Sequence, residues 1–200
     1  MGDATMDGFD LAVRVASRIC HDLISPVGAI GNGVELLAMS GLKGSPELGL
    51  VEESVRNAQG RIKFFRIAFG RADAGQGVSA AEIGGTLKEY FGGGRVQVDW
   101  PEPGPVARAE LRAVFLAINC LEVELAYGGM ITVQPLEGGW EVAALAPRMR
   151  GEESAWAALG GEAEGLNPAM VQFLLLPMAV GVLGREIAIE RREGEMVVRF

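Results

Sequence analysis

The stretch that decides the fold is residues 17–37, SRICHDLISPVGAIGNGVELL, which contains His21, the only histidine of the chain. Small and apolar residues recur through it at alternating spacings of four and three, which predicts a helix from Asp10 to Leu37. This apolar stripe consists of Ala12, Ala16, Ile19, Leu23, Pro26, Ile30, Gly33 and Leu37. Pro26 removes the hydrogen bond that its amide would donate to the carbonyl of Asp22. We therefore expect a local bend that tilts the His21 ring outward.

A second helix follows after a short turn. The first helix should stop near Gly41, and Pro46 fits the first turn of the next. An unbroken heptad seam then runs through Leu48, Val51, Val55, Ala58, Ile62, Phe65 and Phe69. Residues 8–72 are therefore predicted to form an antiparallel helical hairpin. Two helices cannot cover both apolar stripes, so we predict a homodimer that forms a four-helix bundle.

The pattern changes after a linker of small residues at 72–79. Beyond it, predicted helices alternate with short strands, and the chain closes with a hairpin around Glu193-Gly194. The fold class is α+β, with domains at 1–72 and 79–200 and with helices on one face of a mixed sheet. The apolar helix at 168–183 is expected to pack against that sheet rather than cross a membrane, because Gln172 and Pro177 interrupt it.

Composition limits the partners. The 200 residues carry a formal charge of −8, which argues against nonspecific binding to nucleic acid or to anionic membranes. Cys20 and Cys120 lie in apolar helical patterns without a CxxC motif, so we expect buried, reduced thiols and a reducing cytoplasm.

His21 is predicted to lie on the polar face of the first helix. On a helical wheel of about 100° per residue, six residues fall within about 60° of it: Arg14, Ser17, Arg18, Ser25, Gly28 and Asn32. An exposed imidazole is largely uncharged at pH 7, and its free lone pair can act as a nucleophile. The arginines could steer phosphate oxygens or a partner's carboxylates, and the small residues leave room for close approach. A solvent-exposed histidine without function remains the alternative.

The sequence HDLISPVGAI resembles the H-box of two-component histidine kinases, with His21, Asp22 and Pro26 at its characteristic positions. Downstream, LRAVFLAINCLEVELAYGG is similar to the kinase asparagine box, with Asn119 at its leading asparagine and Tyr127 near its end. The magnesium-binding asparagine of that box is replaced by Val123. Residues 147–151, PRMRG, contain no counterpart of the adenine-binding aspartate loop. Phosphoryl transfer from ATP needs a metal bridging the phosphates, so ATP-dependent kinase activity is not expected.

This combination resembles the ChpT-type histidine phosphotransferases, over about residues 9–200. The resemblance implies that the second domain is a degenerate histidine-kinase ATPase-like α/β sandwich. It also implies that His21 is the phosphoacceptor of a phosphorelay and that Asp22 orients its ring or accepts its proton. Arg14, Ser17, Arg18, Ser25, Gly28 and Asn32 would form the partner-binding surface.

The implied partners are the receiver domain of a CckA-like hybrid histidine kinase, as donor, and CtrA- and CpdR-like response regulators, which control the cell cycle. Magnesium would come from the receiver, so no cofactor or metal site is expected in this chain. Neither nucleic acid nor a membrane is among the partners, and the protein is expected to be cytoplasmic. The alternatives are an atypical kinase that still binds ATP and a noncatalytic dimeric adaptor.

Overall fold

The computed structural model describes residues 3–39, 45–72, 75–101, 104–161 and 166–200. The chain divides into two compact units. The first consists of Met1–Arg71 with Gly85–Tyr90, and the second of Ala72–Gly84 with Phe91–Phe200. The domain boundaries predicted from the sequence, 1–72 and 79–200, stay predictions.

The first unit is built on a hairpin of two long helices, α1 (Asp3–Leu37) and α2 (Pro46–Ala68). Helix α1 begins seven residues before the predicted start, Asp10. Helix α2 begins where predicted, because the Ser45 hydroxyl accepts a hydrogen bond from the Leu48 amide at 3.3 Å and Pro46 fits the first turn. The turn predicted near Gly41 lies outside the described residues.

The face of α1 that packs against α2 is not the predicted stripe, and this corrects the sequence interpretation. The buried side chains of α1 are Val13, Cys20 and Val34. They lie about 80–140° around the helix from His21, whereas the predicted stripe lies almost opposite His21. Four apolar members of that stripe are exposed in the single chain, namely Ile19, Leu23, Ile30 and Leu37. Helix α1 thus has one apolar face that α2 covers and a second that it leaves uncovered.

The C-terminal half of α2 packs against residues 85–90. Phe64 is fully buried and stacks on Tyr90 with ring centroids 4.1 Å apart. Lys63 Nζ lies 2.7 Å from a carboxylate oxygen of Glu89. Gly60 allows this approach, because a Cβ there would come within 2.7 Å of the Glu89 carbonyl oxygen.

The second unit contains a five-stranded mixed sheet. Its strands are β2 (Val96–Asp99), β4 (Gly129–Leu136), β5 (Gly139–Leu145), β6 (Ala188–Arg192) and β7 (Glu195–Arg199). The order is β2-β4-β5-β7-β6, in which β2 and β4 are parallel and all other neighbours antiparallel. The closing hairpin turns at Gly194, whose φ of 71° suits glycine. These strands confirm the predicted α+β class and the mixed sheet.

The α-helices that follow α2 in the described residues are α3 (Ala80–Phe91), α4 (Arg108–Glu124), α5 (Glu153–Ala157) and α6 (Gln172–Val182). Helix α4 contributes more buried residues than any other described element: eleven of its residues are buried, and it contacts β4 and β5. Helix α6 follows a 3₁₀ turn at Pro168–Met170 and packs chiefly against α4. The prediction that this apolar helix packs against the sheet stays a prediction.

The structure also shows features that the sequence did not predict. A two-residue strand, β1 (Gly77–Val78), lies in the expected linker and pairs antiparallel with β3 (Val106–Ala107).

Both cysteines are buried and free, as predicted. Among the described residues, no helix is long and apolar enough to span a bilayer.

Candidate functional site

His21 projects from the solvent-facing side of α1, and 83% of its side chain is exposed. Its neighbour Cys20 is buried, since it points to the α2 side of the same turn. The helix continues through Pro26 without interruption. The sequence therefore predicted the exposure of the imidazole correctly, and the ring is accessible to another molecule.

Asp22 contacts the His21 ring and an arginine at the same time. Oδ1 of Asp22 lies 3.2 Å from Nδ1 of His21, while Oδ2 accepts a hydrogen bond of 2.7 Å from Nε of Arg18. A carboxylate can only accept, so the contact with the ring is a hydrogen bond when Nδ1 carries the proton. In that tautomer, Nε2 keeps the lone pair that a nucleophile needs.

The same contacts favour the ionised form of Asp22. The hydrogen bond from His21 is the strongest influence that lowers the pKa of Asp22, and the contact with Arg18 lowers it further. Stabilisation of the charged form by nearby donors is the physical cause. Asp22 is therefore a carboxylate with one partner at each oxygen, Arg18 at Oδ2 and the His21 ring at Oδ1.

The other predicted site residues share the His21 side of α1. Arg14, Ser25 and Asn32 are exposed, and Gly28 is half-buried. A Cβ at position 28 would meet nothing within 4 Å, so the fold of the single chain does not require glycine there. Ser17 differs, because its hydroxyl accepts a 2.8 Å hydrogen bond from the Arg71 amide just after α2. Its oxygen is thus engaged within the hairpin.

Farther along the hairpin, a small cleft of about 190 Å³ lies between α1 and α2. Asn32 is the only predicted site residue in its lining, which also includes Glu35, Glu52, Arg56 and Gln59. A helical wheel shows the faces of one helix only and does not indicate this cleft. Polar residues from two helices meet here, which only the pairing of the helices reveals.

In the second unit, several internal contacts lie in the region that resembles a kinase nucleotide site. Val123, at the position of the magnesium ligand, offers no donor atom, and Asn119 donates to Glu122 at 3.2 Å. The segment after β5 lies against the end of α4, where the Arg150 amide donates to the Glu124 carbonyl at 2.9 Å. The Arg148 guanidinium lies 4.4 Å above the exposed Tyr127 ring.

The Glu124 carboxylate fixes this segment, and the sequence analysis did not identify it. Glu124 is 1% exposed. Its oxygens accept hydrogen bonds from the amides of Gly151 and Glu152, at 2.7 and 3.1 Å, and from the indole of Trp156 at 2.7 Å. A guanidinium nitrogen of Arg191 lies 3.7 Å away. One buried anion therefore binds the segment in which a kinase would carry its adenine loop.

The chain combines a helical hairpin with a sheet domain that resembles the histidine-kinase ATPase-like fold. A solved structure described as a bacterial phosphotransferase shares this fold, with a TM-score of 0.68 and 24% identity, over 96% of this chain and 95% of that one.

The family model for the histidine phosphotransferase C-terminal domain matches residues 80–195, more than half of the chain. The chain belongs to this family. It is also 38% identical over 138 residues to the protein phosphotransferase ChpT of Brucella abortus (strain 2308), a match that covers 67% of this chain. The chain spans 64% of the length of that relative.

Proposed function

We propose that this chain is a histidine phosphotransferase that carries a phosphoryl group on His21 within a phosphorelay. The observation that carries the proposal is the exposed imidazole with Nδ1 3.2 Å from an ionised carboxylate, in a chain of the histidine phosphotransferase family. This arrangement leaves Nε2 free to react. Donor and acceptor are the receiver domain of a CckA-like hybrid kinase and CtrA- or CpdR-like response regulators, which would link the chain to cell-cycle control in the cytoplasm.

The transfer step is a displacement at phosphorus. The lone pair of His21 Nε2 attacks the aspartyl phosphate of the receiver, the N–P bond forms, and the P–O bond to the aspartate breaks with its electron pair leaving on the carboxylate. The Nδ1 proton stays on the ring, which becomes a phosphorylated imidazolium next to the negative Asp22. When the group passes to the next aspartate, the N–P electron pair returns to Nε2.

Magnesium is proposed to act from the receiver's own acidic residues, and this chain would supply the imidazole and a docking surface. The polar residues on the His21 side of α1, namely Arg14, Ser17, Arg18, Ser25, Gly28 and Asn32, form the proposed surface. The contacts of Glu124 with the loop after β5 and the apolar Val123 support the proposal that ATP is not the donor.

The uncovered apolar stripe of α1 supports a homodimer. Leu23, Ile30 and Leu37 are 45%, 54% and 49% exposed in the single chain, although each is a large apolar side chain. A second hairpin with the same stripe would cover them by closing a symmetric four-helix bundle.

A reconstituted relay tests the function. Purified protein is mixed with a receiver labelled on its aspartate, then with an unlabelled response regulator, and label on the regulator is followed. We expect label to reach the regulator through the wild-type chain and none through His21→Ala, which keeps the fold because the side chain is exposed. Equal flux through both would favour a noncatalytic adaptor. Labelling of His21 by ATP alone would favour an atypical kinase.

A further inference from the structure

The exposed face of α1 contains a chain of contacts that runs from Arg18 through Asp22 to His21. Each carboxylate oxygen of Asp22 has one partner: Oδ2 accepts from Arg18 Nε at 2.7 Å, and Oδ1 lies 3.2 Å from His21 Nδ1. Arg18 and Asp22 are four residues apart, so successive helical turns place them side by side. The guanidinium thus contacts the group that contacts the ring, without contacting the ring itself.

The orientation of Asp22 decides which nitrogen of His21 is reactive. A neutral imidazole has its proton on one nitrogen and its lone pair on the other, and a hydrogen bond to one of them selects the tautomer. Asp22 is 48% exposed and can turn into solvent unless a second contact holds it. Arg18 Nε provides that contact from the side opposite the imidazole.

We propose that Arg18 is a positioning residue for phosphoryl transfer, which holds Asp22 in the orientation that keeps the proton of His21 on Nδ1 and the lone pair on Nε2. The inference rests on the proposed role of His21 and assigns Arg18 a task within the chain, in addition to any contact with a receiver. It also assigns Asp22 one of its two expected roles, to orient the His21 ring rather than to accept its proton. A carboxylate engaged on both oxygens accepts the Nδ1 hydrogen bond and leaves the proton on the ring.

The tautomer can be measured directly because His21 is the only histidine. In protein labelled with ¹⁵N-histidine, the pH is raised until the two nitrogen shifts stop changing, and the shifts then report the ratio of Nδ1–H to Nε2–H. We expect Nδ1–H to dominate in the wild type. In Arg18→Gln the ratio should fall by roughly two- to fivefold, the range that an exposed ion pair can supply. Arg18→Lys should recover part of it.

Arg14→Gln is the matched control. Arg14 is exposed on the same face and carries the same charge, but it lies eight residues, about 12 Å along the axis, from Asp22. Its substitution should leave the nitrogen shifts of His21 unchanged. Asp22→Asn should shift the ratio at least as far as Arg18→Gln, because it removes the acceptor itself.

Single-turnover transfer from a phosphorylated receiver separates positioning from docking. Arg18→Gln should lower the maximal rate at saturating receiver by roughly two- to fivefold, whether or not the half-saturating receiver concentration also rises through a lost docking contact. A higher half-saturating concentration with an unchanged maximal rate and unchanged nitrogen shifts would make Arg18 a docking residue and overturn the inference. The nitrogen shifts are measured in the free protein, so they test the role of Arg18 independently of phosphate transfer. Failure of wild-type His21 to accept phosphate would refute the proposed function instead.

Discussion

Glu124→Ala should destabilise the second unit more than any exposed substitution, because this carboxylate holds the segment after β5 against α4. Three donors point at it: the amides of Gly151 and Glu152 and the indole of Trp156. Alanine removes every acceptor at once. The buried position of Glu124, 1% exposed, leaves little room for water to replace them while the segment stays in place.

The magnitude follows from these contacts. A hydrogen bond to a charged group contributes about 1.5–3 kcal/mol, so three would sum to about 4.5–9 kcal/mol, which is comparable to the whole stability of many domains. The sum is not reached, because the segment can move outward and its donors can rehydrate. Removing one member of a buried charged cluster costs about 3–5 kcal/mol, and we expect a loss in that range. Glu124→Gln retains one acceptor oxygen but turns an amide donor towards another donor, for a loss of about 1–3 kcal/mol.

Urea unfolding followed by tryptophan fluorescence measures this loss. All three tryptophans, Trp100, Trp140 and Trp156, lie in the second unit, so their emission reports on it alone. Glu153→Gln is the control, since Glu153 is 87% exposed and should change the free energy of unfolding by less than about 0.5 kcal/mol. If Glu124→Ala matched Glu153→Gln, the carboxylate would not be holding the segment.

Three further predictions concern packing, assembly and pH. Gly60→Ala should lower the free energy of unfolding of the hairpin by about 1–3 kcal/mol, because its Cβ would meet a backbone carbonyl. Gly49→Ala, in open space on the same helix, should raise it by about 0.5–1 kcal/mol. Urea unfolding followed by circular dichroism compares the two variants. Ile30→Glu should convert the predicted dimer to a monomer in sedimentation, while Leu36→Glu, which is 66% exposed on a different face, should not; a monomeric wild type would contradict the dimer. Hydrogen bonds from Arg199 and then Arg192 lower the pKa of Glu190 in the folded protein. Its stabilising contribution is therefore complete above the unfolded pKa of about 4.3 and is lost as pH falls through the lower folded pKa. The free energy of unfolding should fall less steeply with acid in Glu190→Gln than in the wild type, and identical curves would refute this.

Local signals in the sequence mark several of the element boundaries. Ser45 and Ser79 cap α2 and α3 through side-chain acceptors, and a glycine with positive φ turns the final hairpin. Such features depend on residues within one turn of each other, which the sequence shows directly. The predicted start of α1 was seven residues late, since the acidic N-terminal segment offers several capping-type residues, among them Asp3, Asp7 and Asp10.

Local signals do not predict which helix faces pack together or which residues distant in sequence are in contact. Helix α1 has two apolar faces, and the one that packs on α2 is marked only by the widely spaced Val13, Cys20 and Val34. A charged residue at the end of a helix, such as Glu124, is usually solvated, and its burial depends on a segment about 27–32 residues away in sequence. Tertiary packing decides both.

At the candidate site, the wheel predicted the exposure of His21 but not the task of Arg18. The spacing of Arg18 and Asp22 already permits an ion pair on one helix face. The sequence analysis assigned the arginine to a partner, because an exposed cation near a nucleophile suits an external phosphate equally well. Only the distances show that one of its nitrogens is engaged within the helix.

The central claim is that His21 Nε2 receives the phosphoryl group. The most direct measurement is the site and bond type of the phosphate on this chain after brief incubation with a phosphorylated receiver, by ³¹P NMR at neutral pH and by fragmentation mass spectrometry. The account predicts one phosphoramidate, on Nε2 of His21, that disappears in acid and is absent from His21→Ala. Phosphate on an aspartate or serine, or a chain that stays unmodified while the receiver still passes its group to the regulator, would contradict it.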